Sequence, residues 1–310
     1  YFYLINKNNL MKYQISFVVI LFGFGFASAQ NYLDLARLNV SNTSMETLEG
    51  DQAVHETNIT NFNFEFLYPT PINDKTILIT GITVENTGLR LTAETSSESL
   101  TMTRINLGAK ISHSSNWTGT YLLLPKIASN FEDLGGADFQ FGAIALLEYR
   151  HKNRFRTKYG LYSSSEEFGA IITPLLGVYY RTPDSKFYID AAFPIRMEAN
   201  YSLTKKFSLG ADLRTSIKSY NMGGGVLDTY VQEESIRFGF YAGYSMLNDQ
   251  LILRAKAGLD TTDYGWYNTG DTVGAQILTV AVGGDDRIRL NNEFDSSIFV
   301  GFDVIYRLDL

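Results

Sequence analysis

The chain of 310 residues has no cysteine, which excludes disulfides, thiolate metal sites and a lipid-modified cysteine anchor. Histidine is nearly absent. His55, His113 and His151 stand far apart, with no spacing that would let two of them share a zinc ion. Positive charge is in deficit, with 26 Lys and Arg against 33 Asp and Glu, and a net charge of −7 is the opposite of a nucleic-acid-binding surface. Proline is held to 6 residues. Long hydrophobic runs are missing with one exception, residues 15–26, and this run falls short of the ~20 apolar residues that carry a helix across a bilayer.

That exception reads as a signal peptide. Met11 and Lys12 precede the apolar run, and Ala27-Ser28-Ala29 has the small-residue pattern of a cleavage site. The expected organisation is an over-extended translation over 1–10, a signal peptide over 11–29 cut after Ala29, and one domain over 30–310. Losing Lys7 and Lys12 takes the net charge from −7 to −9.

What is abundant is aromatic and glycine residues, 20 Tyr, 21 Phe and 26 Gly, which favours a β protein. Residues 206–262 show why. Phe207, Leu209, Ala211, Leu213 and Ile217 alternate with Ser208, Gly210, Asp212, Arg214, Ser216 and Lys218. Ile236, Phe238, Phe240, Ala242 and Tyr244 alternate with Arg237, Gly239, Tyr241 and Gly243, and Leu251, Leu253, Ala255 and Ala257 with Arg254, Lys256 and Gly258. Side chains on a strand point to opposite faces with period two, so each segment is a strand with one apolar and one polar face. Similar segments recur along the chain. In residues 137–150, aromatics stand at both ends of the apolar face, as interface girdles require.

An apolar face can look into a sandwich core or out into lipid, and the rhythm of turns favours lipid. Short turns fall near Pro71, Ser114, Lys152, Pro183, Lys205 and Asn248, and the connections between them are longer and more acidic or glycine-rich. Alternating short turns and long loops describe an all-β fold, a transmembrane antiparallel meander β-barrel. The expected number is about 14 strands, with 12 or 16 as alternatives. The shortest hairpin, 186–193 with 195–203, is expected to reach the minimum of about 9 residues that spans a bilayer. A mean hydropathy of −0.08 is compatible, because only alternate residues face lipid. Residues 262–296 form a long connection with a hairpin expected around Gly283-Gly284-Asp285-Asp286.

The signal, the meander, the segment Pro174-Leu175-Leu176-Gly177-Val178-Tyr179-Tyr180 before Pro183-Asp184-Ser185, and the amphipathic final strand together resemble the porin-like outer-membrane β-barrel proteins of uncharacterised function of Gram-negative bacteria. The resemblance covers nearly all of the chain after Ala29 and implies an outer-membrane location, with membrane lipids and the barrel assembly machinery as partners. One departure is the last residue, Leu310, where such barrels often carry an aromatic; Tyr306 or Phe302 would have to serve instead.

A wet interior would then be lined by the polar faces. The candidate pore-lining residues are Arg104 and Lys110, Arg156 and Lys158, Arg196 and Glu198, Asp212, Arg214 and Lys218, Arg237, Arg254 and Lys256, and Asp303 and Arg307. Lys126, Arg150, Glu65, Asp138, Glu148, Asp190 and Asp260 join them on the same faces. Bases outnumber acids there although the chain is acidic, so a channel for small, preferably anionic, solutes is the expected function. A barrel filled by paired charges and serving a partner through its loops is the alternative, as is an uptake channel for hydrophobic compounds. An enzyme is not expected, because His113-Ser114-Ser115 falls in a turn. No cofactor is expected. Asp260, Asp263, Asp271, Asp285 and Asp286 carry the oxygens that calcium would need, but read more simply as a solvated acidic loop. Gly223-Gly224-Gly225 lacks the following Lys and helix of a phosphate loop. The oligomeric state is left open.

Overall fold

A computed structural model describes residues 32–47, 57–92, 95–225 and 228–309. The extension and signal expected over 1–29, and Leu310, lie outside the described residues. Fourteen strands form a closed antiparallel ring. They are β1 (Tyr32–Met45), β2 (Thr57–Asn73), β3 (Thr76–Leu89), β4 (Glu98–Ser112), β5 (Trp117–Ser129), β6 (Phe139–Lys152), β7 (Phe155–Glu166), β8 (Gly169–Arg181), β9 (Phe187–Phe193), β10 (Arg196–Ser202), β11 (Phe207–Met222), β12 (Thr229–Met246), β13 (Leu251–Asp260) and the last strand, β17 (Ser297–Asp309). Between β13 and β17 the long connection adds β14 (Asp263–Asn268), β15 (Gly274–Ile277) and β16 (Val280–Ala281). The ring closes where β13 pairs β17, from Leu251↔Tyr306 to Asp260↔Ser297, and β17 pairs β1, from Tyr32↔Asp309 to Thr43↔Phe299. Closure leaves neither β1 nor β17 with a free edge.

Six short turns, after β2, β4, β6, β8, β10 and β12, gather at one end, and four of them are pinned by a side-chain oxygen. Asn73 Oδ1 accepts from the Lys75 N–H at 2.9 Å, Ser114 Oγ from Trp117 at 3.1 Å, Asp184 Oδ1 from Lys186 at 3.1 Å and Thr204 Oγ1 from Phe207 at 3.0 Å. β2 runs through Pro69 and Pro71 to Asn73, past the point where the sequence suggested a turn. Both prolines lie beyond Phe66, where β2 no longer has β1 beside it, and such an edge tolerates proline.

The outward face is apolar around the ring. Leu107, Leu123, Phe141, Leu176, Phe240 and Val300 are all exposed. Near the tight turns Tyr149 packs on Trp117 and His151, and His151 on Phe155, with ring centroids 4.7–5.0 Å apart. His113 and His151 serve this belt through hydrogen bonds with Tyr121 and Thr157.

Two features depart from the sequence expectation. First, the inward face is not polar throughout. Towards the loop end it becomes apolar, and Met45, Ile59, Leu89, Leu100, Met102, Tyr220, Met222 and Val231, all on inward positions, pack together with Tyr264 and Phe294 into a buried cluster inside the barrel. Second, β9 and β10 have seven residues each, not nine, so their hairpin stops partway up the wall. Above it, the edges of β8 and β11 would be bare. The hairpin of the long connection forms at β15–β16 rather than around Gly283, and it covers the β8 edge. β15 pairs β8 in parallel, Gly169↔Gly274 to Ile172↔Ile277, and turns Ile277 outward while Gln276 Nε2 reaches Glu234 inside at 3.0 Å. The β11 edge leans across to β7, where the Ser219 N–H donates to Glu166 Oε2 at 2.7 Å, and to β5, where the Asn130 N–H donates to Asn221 O at 3.1 Å.

Candidate functional site in the lumen

Below the apolar cluster lies a cavity of about 270 Å³ between β1–β2 on one side and β9–β11 on the other. Its walls combine Arg37, Arg196, Arg214 and Arg307 with Asp34, Glu65, Asp190, Glu198 and Asp212, and Tyr188 and several aliphatic residues complete it. Seven of the residues singled out from the sequence meet here: Glu65, Asp190, Arg196, Glu198, Asp212, Arg214 and Arg307.

A relay of ion pairs crosses the lumen beside this cavity. Arg307 Nε donates to Asp34 at 2.6 Å, Arg37 lies 3.1 Å from Asp34 and 3.7 Å from Glu198, and Arg254 lies 2.8 Å from Glu198. It ties β17, β1, β10 and β13 together. Arg254 is 2% exposed, donates through Nη2 to Glu198 and stacks its guanidinium 4.1 Å from the Tyr241 ring, so its charge is held out of water. Taking such ions out of water is costly unless the partners are all present, which makes the relay a rigid strut rather than a free ionic lining.

The other candidates lie outside the cavity. Lys256 bonds Asp212 at 2.5 Å and lies 3.6 Å from Asp303, which also accepts from Asn39. Lys158 pairs with Asp190, and Arg156 with Glu148 at 3.3 Å. Lys110 faces Glu148 from β4, and Arg104 donates to Asn106 and Thr83. Lys218 sits directly beneath the apolar cluster, bridging Glu85 of β3 and Glu233 of β12. Arg237 bonds Asp260 at 2.6 Å, and Asp260 also accepts from Thr43 and Thr262. Asp260 is thus a buried partner and no loop acid. In the long connection Asp263 holds Arg289 at 2.6 Å and Asp285 holds Arg287 at 2.7 Å. The Arg287 hydrogen bond keeps the Asp285 carboxyl below the usual carboxylate range. Among the described residues no group of three acids or histidines is placed to hold a metal ion.

Asp34, Arg37 and Tyr188 are cavity residues that sequence reasoning did not single out. The first two are revealing. Strict alternation would send Asp34 and Arg37 to opposite faces, but the β1–β17 register shifts between Asp34 and Ala36, and this bulge brings both inside. The irregular pattern of residues 32–42 is its sequence trace.

Register also creates a row that spacing alone does not reveal. Arg196 of β10 stands opposite Arg214 of β11, and Arg214 opposite Arg237 of β12. Like charges directly opposed on neighbouring strands repel. Arg237 is answered by Asp260. Arg196 reaches Asp190 only at 3.6 Å and is 57% exposed to the cavity. Arg214 makes no hydrogen bond or ion pair among the described residues and is exposed to the cavity.

Solved structures resemble this chain in architecture. A COG4313 outer-membrane channel from Pseudomonas putida F1 is 8% identical, with 89% of this chain and 96% of that one covered and a TM-score of 0.45. The toluene transporter TodX of Pseudomonas putida is 10% identical, with 89% of each chain covered and a TM-score of 0.37. The translocator domain of the autotransporter NalP from Neisseria meningitidis is 9% identical, with 97% and 96% covered and a TM-score of 0.36. A search of curated proteins returns no match. Residues 27–263 match a family described as "Domain of unknown function (DUF6268)".

Proposed function

For a chain that belongs to the DUF6268 family, we propose the role of an outer-membrane barrel that admits small anionic solutes to its lumen. The membrane part rests on the closed ring, the apolar outward face and the aromatic belt, since a closed barrel is one of only two ways a backbone crosses lipid. With β1 and β17 both starting or ending at the tight turns, that end faces the periplasm and the loop end the exterior. The solute part rests on one observation: Arg214, central in an in-register row of three arginines, faces a cavity without a protein partner. An anion beside Arg214 relieves the repulsion that the row builds in.

In the conformation described, the apolar cluster around Tyr220 and Met222 closes the loop end. Solutes reach the cavity from the periplasmic end, and passage through the barrel requires that cluster to move. A second reading follows from the same cluster: a permanently plugged barrel that serves partners through its loops. Planar-bilayer recording of the refolded protein separates them. The channel reading expects conductance with a reversal potential on the anion side in a salt gradient, weakened by Arg214→Gln and raised by Tyr220→Ala. Cation selectivity ends the anion reading, and silence even in Tyr220→Ala leaves the plugged barrel.

A further inference from the structure

Arg214 is not the only uncommitted charge in the cavity. The acids there are almost all taken: Asp34 by Arg37 and Arg307, Asp190 by Lys158, Glu198 by Arg254 and Tyr188, and Asp212 by Lys256. Glu65 of β2 is the exception. Its cross-strand neighbour Arg37 turns instead to Asp34 and Glu198, and its neighbour on β3, Thr83, accepts from Arg104 and Asn106. Among the described residues Glu65 makes no hydrogen bond or ion pair. It lies near enough to Arg196 and Arg214 for their charges to act on one another, without contact.

The cavity therefore presents one free cation and one free anion from different walls. A simple anion satisfies Arg214 but is repelled by Glu65. A simple cation does the reverse, and a neutral solute leaves both unanswered. We propose that the cavity binds a small zwitterion with separated charges, such as a dipeptide or an ω-amino acid, its carboxylate on Arg214 with help from Arg196 and its ammonium on Glu65. The inference rests on reading the lumen as a solute site. The volume agrees: about 270 Å³ holds about nine waters at ~30 Å³ each, room for a molecule of diglycine's size. Leu67, which shares Glu65's inward parity on β2, adds apolar lining and suits a short carbon and amide linker.

Calorimetric titration of the refolded full-length barrel with three probes of matched size tests this. Diglycine carries both charges, N-acetylglycine only the carboxylate and glycyl-glycinamide only the ammonium. Diglycine is expected to bind about tenfold more tightly than either, the worth of one charged hydrogen bond. Glu65→Gln should bring diglycine down to the level of N-acetylglycine without weakening N-acetylglycine, and Arg214→Gln should weaken both. Glu65→Asp, which keeps the charge, should preserve the preference and guards against a folding defect in the first variant. Equal binding of diglycine and N-acetylglycine overturns the zwitterion assignment and leaves the anion site standing. Equal binding of diglycine and glycyl-glycinamide overturns both, as does binding of none.

Discussion

The wall at β2–β3 and the wall at β9–β10 solve the same problem differently. β2 and β3 rise 17 and 14 residues from their turn, enough to cross the apolar layer, and each is paired along most of its length. β9 and β10 rise only 7 each. A strand needs about 9–11 residues to span the layer, so the short hairpin leaves backbone groups of β8 and β11 that lipid cannot satisfy. The chain repairs this with parts from elsewhere: a parallel strand from the long connection for β8, and a sideways lean onto Glu166 and Asn130 for β11. Wall height is thus set hairpin by hairpin, while continuity of the wall is set by contacts distant in sequence.

If the repaired wall depends on those distant parts, it should fail where the complete wall does not. The largest effect is expected from replacing residues 270–286 by a short Gly-Ser linker, which bares the β8 edge from Gly169 to Ile172. A loss on the order of 5 kcal/mol in urea unfolding from lipid vesicles follows from several unsatisfied backbone groups in an apolar layer. Unchanged stability would show that β15 merely rests on β8.

Next is Glu166→Gln. Glu166 is buried and accepts from Lys126 at 2.5 Å, Ser164 at 2.6 Å and Ser219 at 2.7 Å, so the variant leaves the Lys126 ammonium buried without a counter-charge. About 3 kcal/mol should be lost. Glu65→Gln, on the complete wall and without a protein partner, should lose nothing in the same assay.

A smaller contrast comes from one methyl group. At Gly169, φ is +128° and an added Cβ would meet Gly274 O at 2.5 Å, so Gly169→Ala should cost about 1–3 kcal/mol and loosen β15 in hydrogen exchange. At Gly88 of β3 an added Cβ meets nothing within 4 Å, and Gly88→Ala should stay within about 0.5 kcal/mol. The smallest effect concerns pH. Arg287 clamps the connection through Asp285, Tyr230 and Gln232. Because the Asp285 carboxyl is held below the usual aspartate value of 3.8, its contribution is complete above that value and lost only as pH falls further. Protection of amides near Arg287, relative to their intrinsic exchange rates, should be flat from neutral pH to about pH 5 and fall only in stronger acid. A fall already near pH 6 would point to another group.

Much of this architecture is legible in the chain because outward faces obey one simple rule. Lipid accepts only apolar groups, so Phe207, Leu209, Phe240 and Leu253 announce their strands. Inward faces obey two rules at once, wet below and dry above. The switch is visible in retrospect at Leu100 and Met102 and again at Tyr220 and Met222, where apolar residues fall on the polar parity. The site is harder to read. The arginine row exists only because two registers coincide, and register depends on where each turn is pinned. Asp34 and Arg37 enter through a bulge, which alternation cannot foresee. The parallel pairing of Gly274 with Gly169 joins segments about a hundred residues apart, and no local pattern marks it.

In the ring, Tyr32 stands beside Asp309 at the same end as the turns pinned by Asn73, Ser114, Asp184 and Thr204. A cylinder joined this way has no intrinsic starting strand. Linking those neighbours and re-cutting the chain at Asn153–Arg154 should trace the same fourteen staves in a rotated order, so the order of synthesis and the shape of the finished wall are separable properties of this protein.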